Sequence, residues 1–195
     1  MIDYNVLKVI RGLNKDQLID SIIGSVNPKQ QECKDWLIDE SSKYIEVMQD
    51  PKICVAAGWY GLLASKLRDF TENEILSFDI DPMCKTIGKK LYKNDYGIKF
   101  DTKDIKEFYP NEYDIIVCTS CEHITDDDLN NFLSRGKKSS LVILQSNNYF
   151  DLEEHINCKN NIGEFEWSVN IETLYRGELD MGKYTRYMLI GLLWM

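Results

Sequence analysis

Two short stretches hold the residues best suited to chemistry. Lys52-Ile53-Cys54-Val55-Ala56-Ala57-Gly58-Trp59-Tyr60-Gly61-Leu62-Leu63 is an apolar run that breaks into a glycine turn and continues with helical spacing. Further on, Ile75-Leu76-Ser77-Phe78-Asp79-Ile80-Asp81-Pro82 is a second apolar run that ends in a carboxylate. Glycines let the backbone pass close to a ligand, and an acid at the tip of the next strand accepts hydrogen bonds from ribose hydroxyls. The pair predicts a cofactor that contains a nucleoside.

Two other clusters suit metal or redox chemistry. Cys118 and Cys121 form a C-x-x-C, the spacing of a redox pair or half a zinc site. No second C-x-x-C completes a four-thiolate set, and Cys118 ends the apolar run Tyr113 to Cys118. Two small, partly buried residues at a strand end are the expectation. Glu154-His155, with Asn157 and Cys158, repeats the pairing of Glu122-His123, and two such pairs brought together suit a divalent metal. A solvated pair on a surface helix is expected instead, and no metal.

The elements that position these residues alternate almost without gaps. Apolar spacing predicts helices from about Lys15 to Val26 and from Pro28 to Met48, with Pro28 near a helix start. Runs at Ile53 to Ala56, Ile75 to Ile80, Ile98 to Phe100, Ile115 to Cys118 and Leu141 to Leu144 read as buried strands. Between them lie helical patterns at Gly61 to Phe70, Pro82 to Tyr92 and Asp126 to Arg135, and a short segment at Asp104 to Phe108. Strands alternating with helices imply a parallel sheet covered on both faces. Glu166 to Tyr175 and Tyr184 to Trp194 then read as an antiparallel hairpin around the loop Arg176 to Lys183. The acidic blocks Asp126-Asp127-Asp128 and Asp151 to Glu154 read as helix starts that complement the dipole.

A parallel five-strand core followed by a terminal antiparallel hairpin resembles the class I S-adenosylmethionine-dependent methyltransferases, over roughly Lys52 to Trp194. The resemblance implies an α/β, Rossmann-like methyltransferase fold: a mostly parallel seven-stranded sheet with a C-terminal antiparallel hairpin and helices on both faces. Residues 51–195 would be the cofactor-binding domain and 1–50 a helical cap that contributes to acceptor choice. It also assigns cofactor roles. Ala57, Gly58, Trp59, Tyr60 and Gly61 match the loop against the methionine end, although Ala56 stands where the family carries an acid. Asp79 and Ile80, within an acid-x-x-Pro pattern, match the ribose site. Asp104 and Ile105 match the adenine site, and Thr119 and Ser120 follow the fourth strand.

On the acceptor side, Glu122-His123-Ile124 resembles the Glu-His-Ile that many small-molecule methyltransferases carry before a helix. Neutral imidazole accepts a proton near neutral pH, so His123 is a candidate base, or a lining residue that closes over the cofactor. Asn147, Asn148 and Tyr149 follow the fifth strand and could hold the acceptor, with Tyr149 a second catalytic candidate. Asp81 reads as the helix cap before Pro82. The Asn-Pro-Pro-Tyr of amino methyltransferases is absent.

Composition bounds these readings. The chain has 195 residues, of which 44% are hydrophobic, enough for one packed domain. A net charge of −9 disfavours a nucleic-acid partner. Six cysteines placed mostly within strands and helices suggest reducing surroundings. No apolar stretch suits a membrane span, and the start, with Asp3 and Tyr4, lacks a signal-peptide pattern. A cytoplasmic location follows. The expected acceptor is a small molecule or peptide, with oligomeric state open. Transfer or cleavage of the cofactor's aminocarboxypropyl arm, and a noncatalytic binding protein that has lost the first-strand acid, are the alternatives.

Overall fold

The computed structural model describes residues 4–11 and 16–194. The expected helix start at Lys15, and Asp3, lie outside them. Three helices come first: α1 (Tyr4–Ile10), α2 (Asp16–Ser25) and α3 (Pro28–Ile45). Asn27 caps α3 by accepting from the Gln30 amide at 2.9 Å, and Pro28 takes the first turn, where its missing N–H costs nothing. α1 was not foreseen; its seven residues are too few for a clear period.

The alternating core follows as β1 (Ile53–Ala56), α4 (Leu62–Leu67), β2 (Ile75–Asp79), α5 (Pro82–Leu91), β3 (Ile98–Thr102), β4 (Ile115–Cys118), α6 (Asp126–Ser134) and β5 (Leu141–Asn147). Asp81 caps α5 through the Met83 amide at 2.8 Å, ahead of Pro82. Thr125 caps α6, whose first turn carries Asp126, Asp127 and Asp128 at its positive end. The chain ends in α7 (Ile162–Trp167), β6 (Ile171–Asp180) and β7 (Thr185–Leu193).

Seven strands form one sheet in the order β3-β2-β1-β4-β5-β7-β6. β1 to β5 are parallel, and β7 runs antiparallel to both β5 and β6. β1, β4 and β5 are buried along their whole length, which is why they read as continuous apolar runs. Side-chain alternation sorts them onto two faces. Cys54, Ala56, Ile116, Val142 and Leu144 pack with Leu129, Phe132 and Phe165, whereas Ile53, Val55, Ile115, Val117 and Ile143 pack with Leu37, Ile45, Leu63 and Leu67.

Three expectations need correction. Glu166 and Trp167 belong to α7, which Asn161 caps through the Glu164 amide at 2.9 Å. The supposed loop from Arg176 is strand as far as Asp180. Gly177 is not a turn residue there: a Cβ would meet the Tyr175 hydroxyl at 2.2 Å and Trp36 at 3.0 Å. The true turn is shorter, with Gly182 at φ +80°. Finally, Asp151 to Glu154 starts no helix.

Candidate functional site

The order of the parallel strands reverses between β1 and β4, and in such sheets a crevice opens there beyond the carboxyl ends. A cavity of about 720 Å³ occupies that place, within the size range of small-molecule sites. Its floor is the turn after β1. Ala57 at φ 48° and Trp59 at φ 49° are left-handed, a strained conformation for residues other than glycine. Between them Gly58 is forced by close approach, since a Cβ would lie 2.3 Å from the Ser77 hydroxyl. Asp79 at the end of β2 ties this turn to the next one. Its Oδ2 accepts from the Trp59 amide and its Oδ1 from the Asp81 amide, each at 3.1 Å, and a carboxylate keeps further lone pairs for a ligand.

Ala57, Gly58, Trp59, Asp79, Ile80, Asp104, Ile105, Thr119, Ser120, Glu122, His123, Asn147 and Tyr149 all line this cavity. Tyr60, Gly61 and Asn148 do not. Tyr60 is buried among Val6, Ile22, Cys84, Ile87 and Leu91, with its hydroxyl 2.9 Å from Ser21 Oγ. Gly61, at φ +95°, lies under Phe100, where a Cβ would come within 2.5 Å of the ring. Asn148 joins β5 to β7 by accepting from the Thr185 amide at 2.6 Å.

The deep wall is a buried polar network. Glu122 Oε1 accepts from Asn147 Nδ2 at 2.7 Å and from Arg186 Nη1 at 3.3 Å. Arg186 also donates to the Thr119 carbonyl and, at 3.4 Å, to Gln145 Oε1. Lys34, from α3, donates to Thr119 Oγ1 at 2.9 Å. Burial, with Arg186 nearby adding repulsion, pulls the Lys34 pKa down to about 7. Lys34 and Arg186 escaped the sequence reading. The available signals were a lysine on the buried face shared by Cys33, Leu37, Ser41 and Ile45, and an arginine opening the apolar run of β7.

The segment after β5 folds back across the mouth. The Asn157 amide donates to the Glu122 carbonyl at 2.9 Å, and Lys159 Nζ reaches both oxygens of Asp126 at 2.8 Å. His123 Nδ1 donates to the Glu154 carbonyl at 2.9 Å, and His155 Nδ1 to the Tyr149 carbonyl at 2.7 Å. The two imidazoles meet edge to face at 4.7 Å. Tyr149 stacks on Tyr184 at 5.2 Å. Cys118 and Cys121 are both buried in the core, and the Cys121 thiol donates to the Cys118 carbonyl.

No protein-family model and no curated protein sequence matches this chain. Solved structures do. N-methyltransferase NodS from Bradyrhizobium japonicum WM9 aligns over 88% of this chain and 99% of its own, at 13% identity and a TM-score of 0.69. Magnesium protoporphyrin IX methyltransferase ChlM from Synechocystis PCC 6803, with bound S-adenosylhomocysteine, aligns over 97% and 94%, at 14% identity and 0.67. The [4+2]-cyclase SpnF aligns over 97% and 92%, at 9% identity and 0.69. The fold is therefore the Rossmann-like fold of class I S-adenosylmethionine-dependent methyltransferases, as the sequence resemblance implied. That fold also carries a cyclase, so the reaction must be argued from the site. Among the described residues, no helix is long and apolar enough to cross a membrane.

Proposed function

We propose that the protein is a methyltransferase that uses S-adenosylmethionine and acts on a small-molecule or peptide acceptor. One observation carries the reading: the strained glycine turn after β1 and the Asp79 carboxylate at the end of β2 share one cavity, where a ribose between them meets both. Ala57, Gly58 and Trp59 flank the methionine end. Asp79 and Ile80 hold the ribose, Asp104 and Ile105 the adenine, and Thr119 and Ser120 the adjoining wall. Ala56 is fully buried and offers no carboxylate to the cofactor's ammonium group.

Bound there, the cofactor supplies an electrophilic methyl on a sulfonium. The chain supplies alignment and exclusion of water, which suffice for much of the rate of a direct displacement. Because His123 Nδ1 donates to a carbonyl, the neutral ring carries its lone pair on Nε2, where it can take a proton from a hydroxyl or ammonium acceptor. Tyr149, held against Tyr184, and Asn147 border the acceptor side. Helices α2 and α3 contribute Ser25, Gln30 and Lys34 to the lining, which suits the role of a cap over the acceptor.

Calorimetric titration with S-adenosylmethionine and S-adenosylhomocysteine, with Asp79→Ala as control, tests the cofactor site. Binding that the substitution abolishes supports it; a folded protein that binds neither compound leaves only a noncatalytic role. With acceptors supplied, S-adenosylhomocysteine is the expected product. Methylthioadenosine in its place means transfer or cleavage of the aminocarboxypropyl arm.

A further inference from the structure

We propose that Glu122, His123 and His155 bind one divalent first-row transition-metal ion on the acceptor side of the cavity. Each offers a ligand atom, and these atoms lie within 4.8 Å of one another. Two independent features point the same way. Both imidazoles spend Nδ1 on a backbone carbonyl, which fixes the tautomer and leaves each Nε2 lone pair free, the arrangement that orients histidine ligands around metals. Glu122 is held at Oε1 alone, by Asn147 and Arg186, while its buried Oε2 has no hydrogen-bond partner. A buried carboxylate oxygen left bare is costly, and a cation satisfies it.

Local structure explains how the three meet. A single turn of 3-10 helix at Cys121–His123 sets Glu122 and His123 side by side. The fold-back after β5, pinned by Asn157 and Lys159, then brings His155 against them. Around an ion with bonds of about 2.1 Å, ligand atoms stand about 3.4 Å apart, so binding draws the exposed His123 inward. Cys158 is not one of the three: its thiol donates to Asn147 Oδ1 and the Tyr149 carbonyl.

Two imidazoles and one carboxylate favour zinc, cobalt, iron or nickel over magnesium or calcium, which prefer all-oxygen sets. Three protein ligands leave at least one position for water or an acceptor oxygen. Resting on the methyl-transfer reading, this names the acceptor class: a molecule that presents a hydroxyl or carboxylate to the ion. With the ion bound, His123 Nε2 is a ligand that holds the acceptor through the metal, and it is available as a base only in the metal-free protein.

The test uses metal-stripped full-length protein, without S-adenosylmethionine, titrated with Co²⁺ and followed by visible ligand-field absorption and calorimetry. One site per chain is expected, displaced by Zn²⁺ and weakened tenfold or more in both His155→Asn and His123→Asn, each confirmed folded by circular dichroism. Cys158→Ser leaves it unchanged. Absence of ligand-field bands, or equal Co²⁺ affinity in both folded histidine variants, overturns the proposal. Co²⁺ binding without S-adenosylmethionine binding keeps the ion and sinks methyl transfer; the converse sinks the ion alone.

Discussion

Arg186 and Glu122, 64 positions apart, form an ion pair at 3.3 Å with both side chains almost wholly buried. The pair joins the terminal hairpin to the end of β4. It helps set the cavity wall, and Glu122 Oε2 is left without a partner. Removing one member of a buried pair leaves a bare charge in the interior, so Arg186→Met is expected to lower stability by about 3–5 kcal/mol. Urea unfolding measures it. Arg186→Lys does not restore the loss, because a lysine cannot reach Glu122, Gln145 and the Thr119 carbonyl together.

Lys34 gives a pH signature. Its pKa falls from the ordinary lysine range in the unfolded chain to about 7 in the folded one, so between those values the unfolded chain binds the extra proton and stability rises with pH. Below about pH 7 both states are protonated and the full cost of burying the charge remains. Thermal midpoints of the wild type and Lys34→Met, compared from pH 6 to pH 9, are expected to differ most at low pH and to converge as pH rises; a constant offset refutes the assignment.

Gly58→Ala places a methyl 2.3 Å from Ser77 Oγ and 3.3 Å from Val55, with rigid sheet on both sides. Overpacking of this kind costs about 1–3 kcal/mol, and displacing the turn weakens cofactor binding as well. Ser77 Oγ is buried without a partner, so Ser77→Ala alone is close to neutral. The double variant recovers part of the loss, and a double-mutant cycle by chemical denaturation reads the coupling.

Asp79→Ala and Asp79→Asn separate binding from scaffolding. The carboxylate holds the Trp59 and Asp81 amides, and a hydrogen bond to a charged group contributes about 1.5–3 kcal/mol. Ala loses both amide bonds and, on the proposed function, the ribose contact. Asn keeps one acceptor oxygen and is expected to lie between Ala and wild type in calorimetric affinity for S-adenosylhomocysteine, with a smaller drop in thermal midpoint.

Much of this molecule was written in short-range pattern. The apolar runs at Ile53, Ile75, Ile115 and Leu141 announced buried strands because both faces of a parallel sheet are covered, and Pro28, Asp81 and the Asp126-Asp127-Asp128 block marked helix starts because proline, a capping carboxylate and first-turn acids all suit a helix N-terminus. Gly58 and Asp79, some 20 residues apart, were expected to share one site because a β-α-β unit brings those positions together, and both line the same cavity.

What only tertiary structure decided depends on groups far apart in the chain. Gly177 and Glu178 looked like a turn, yet pairing along β7 carries β6 through to Asp180, since hydrogen bonds to a neighbouring strand outweigh local turn preference. Lys34 and Arg186 carry only weak local signals, and the Glu154-His155 pair read as solvated; the three come together when α3, β7 and the fold-back after β5 close on Glu122 and Thr119. Burial sets an ordinary lysine and arginine into the cavity wall, and burial belongs to the assembled fold.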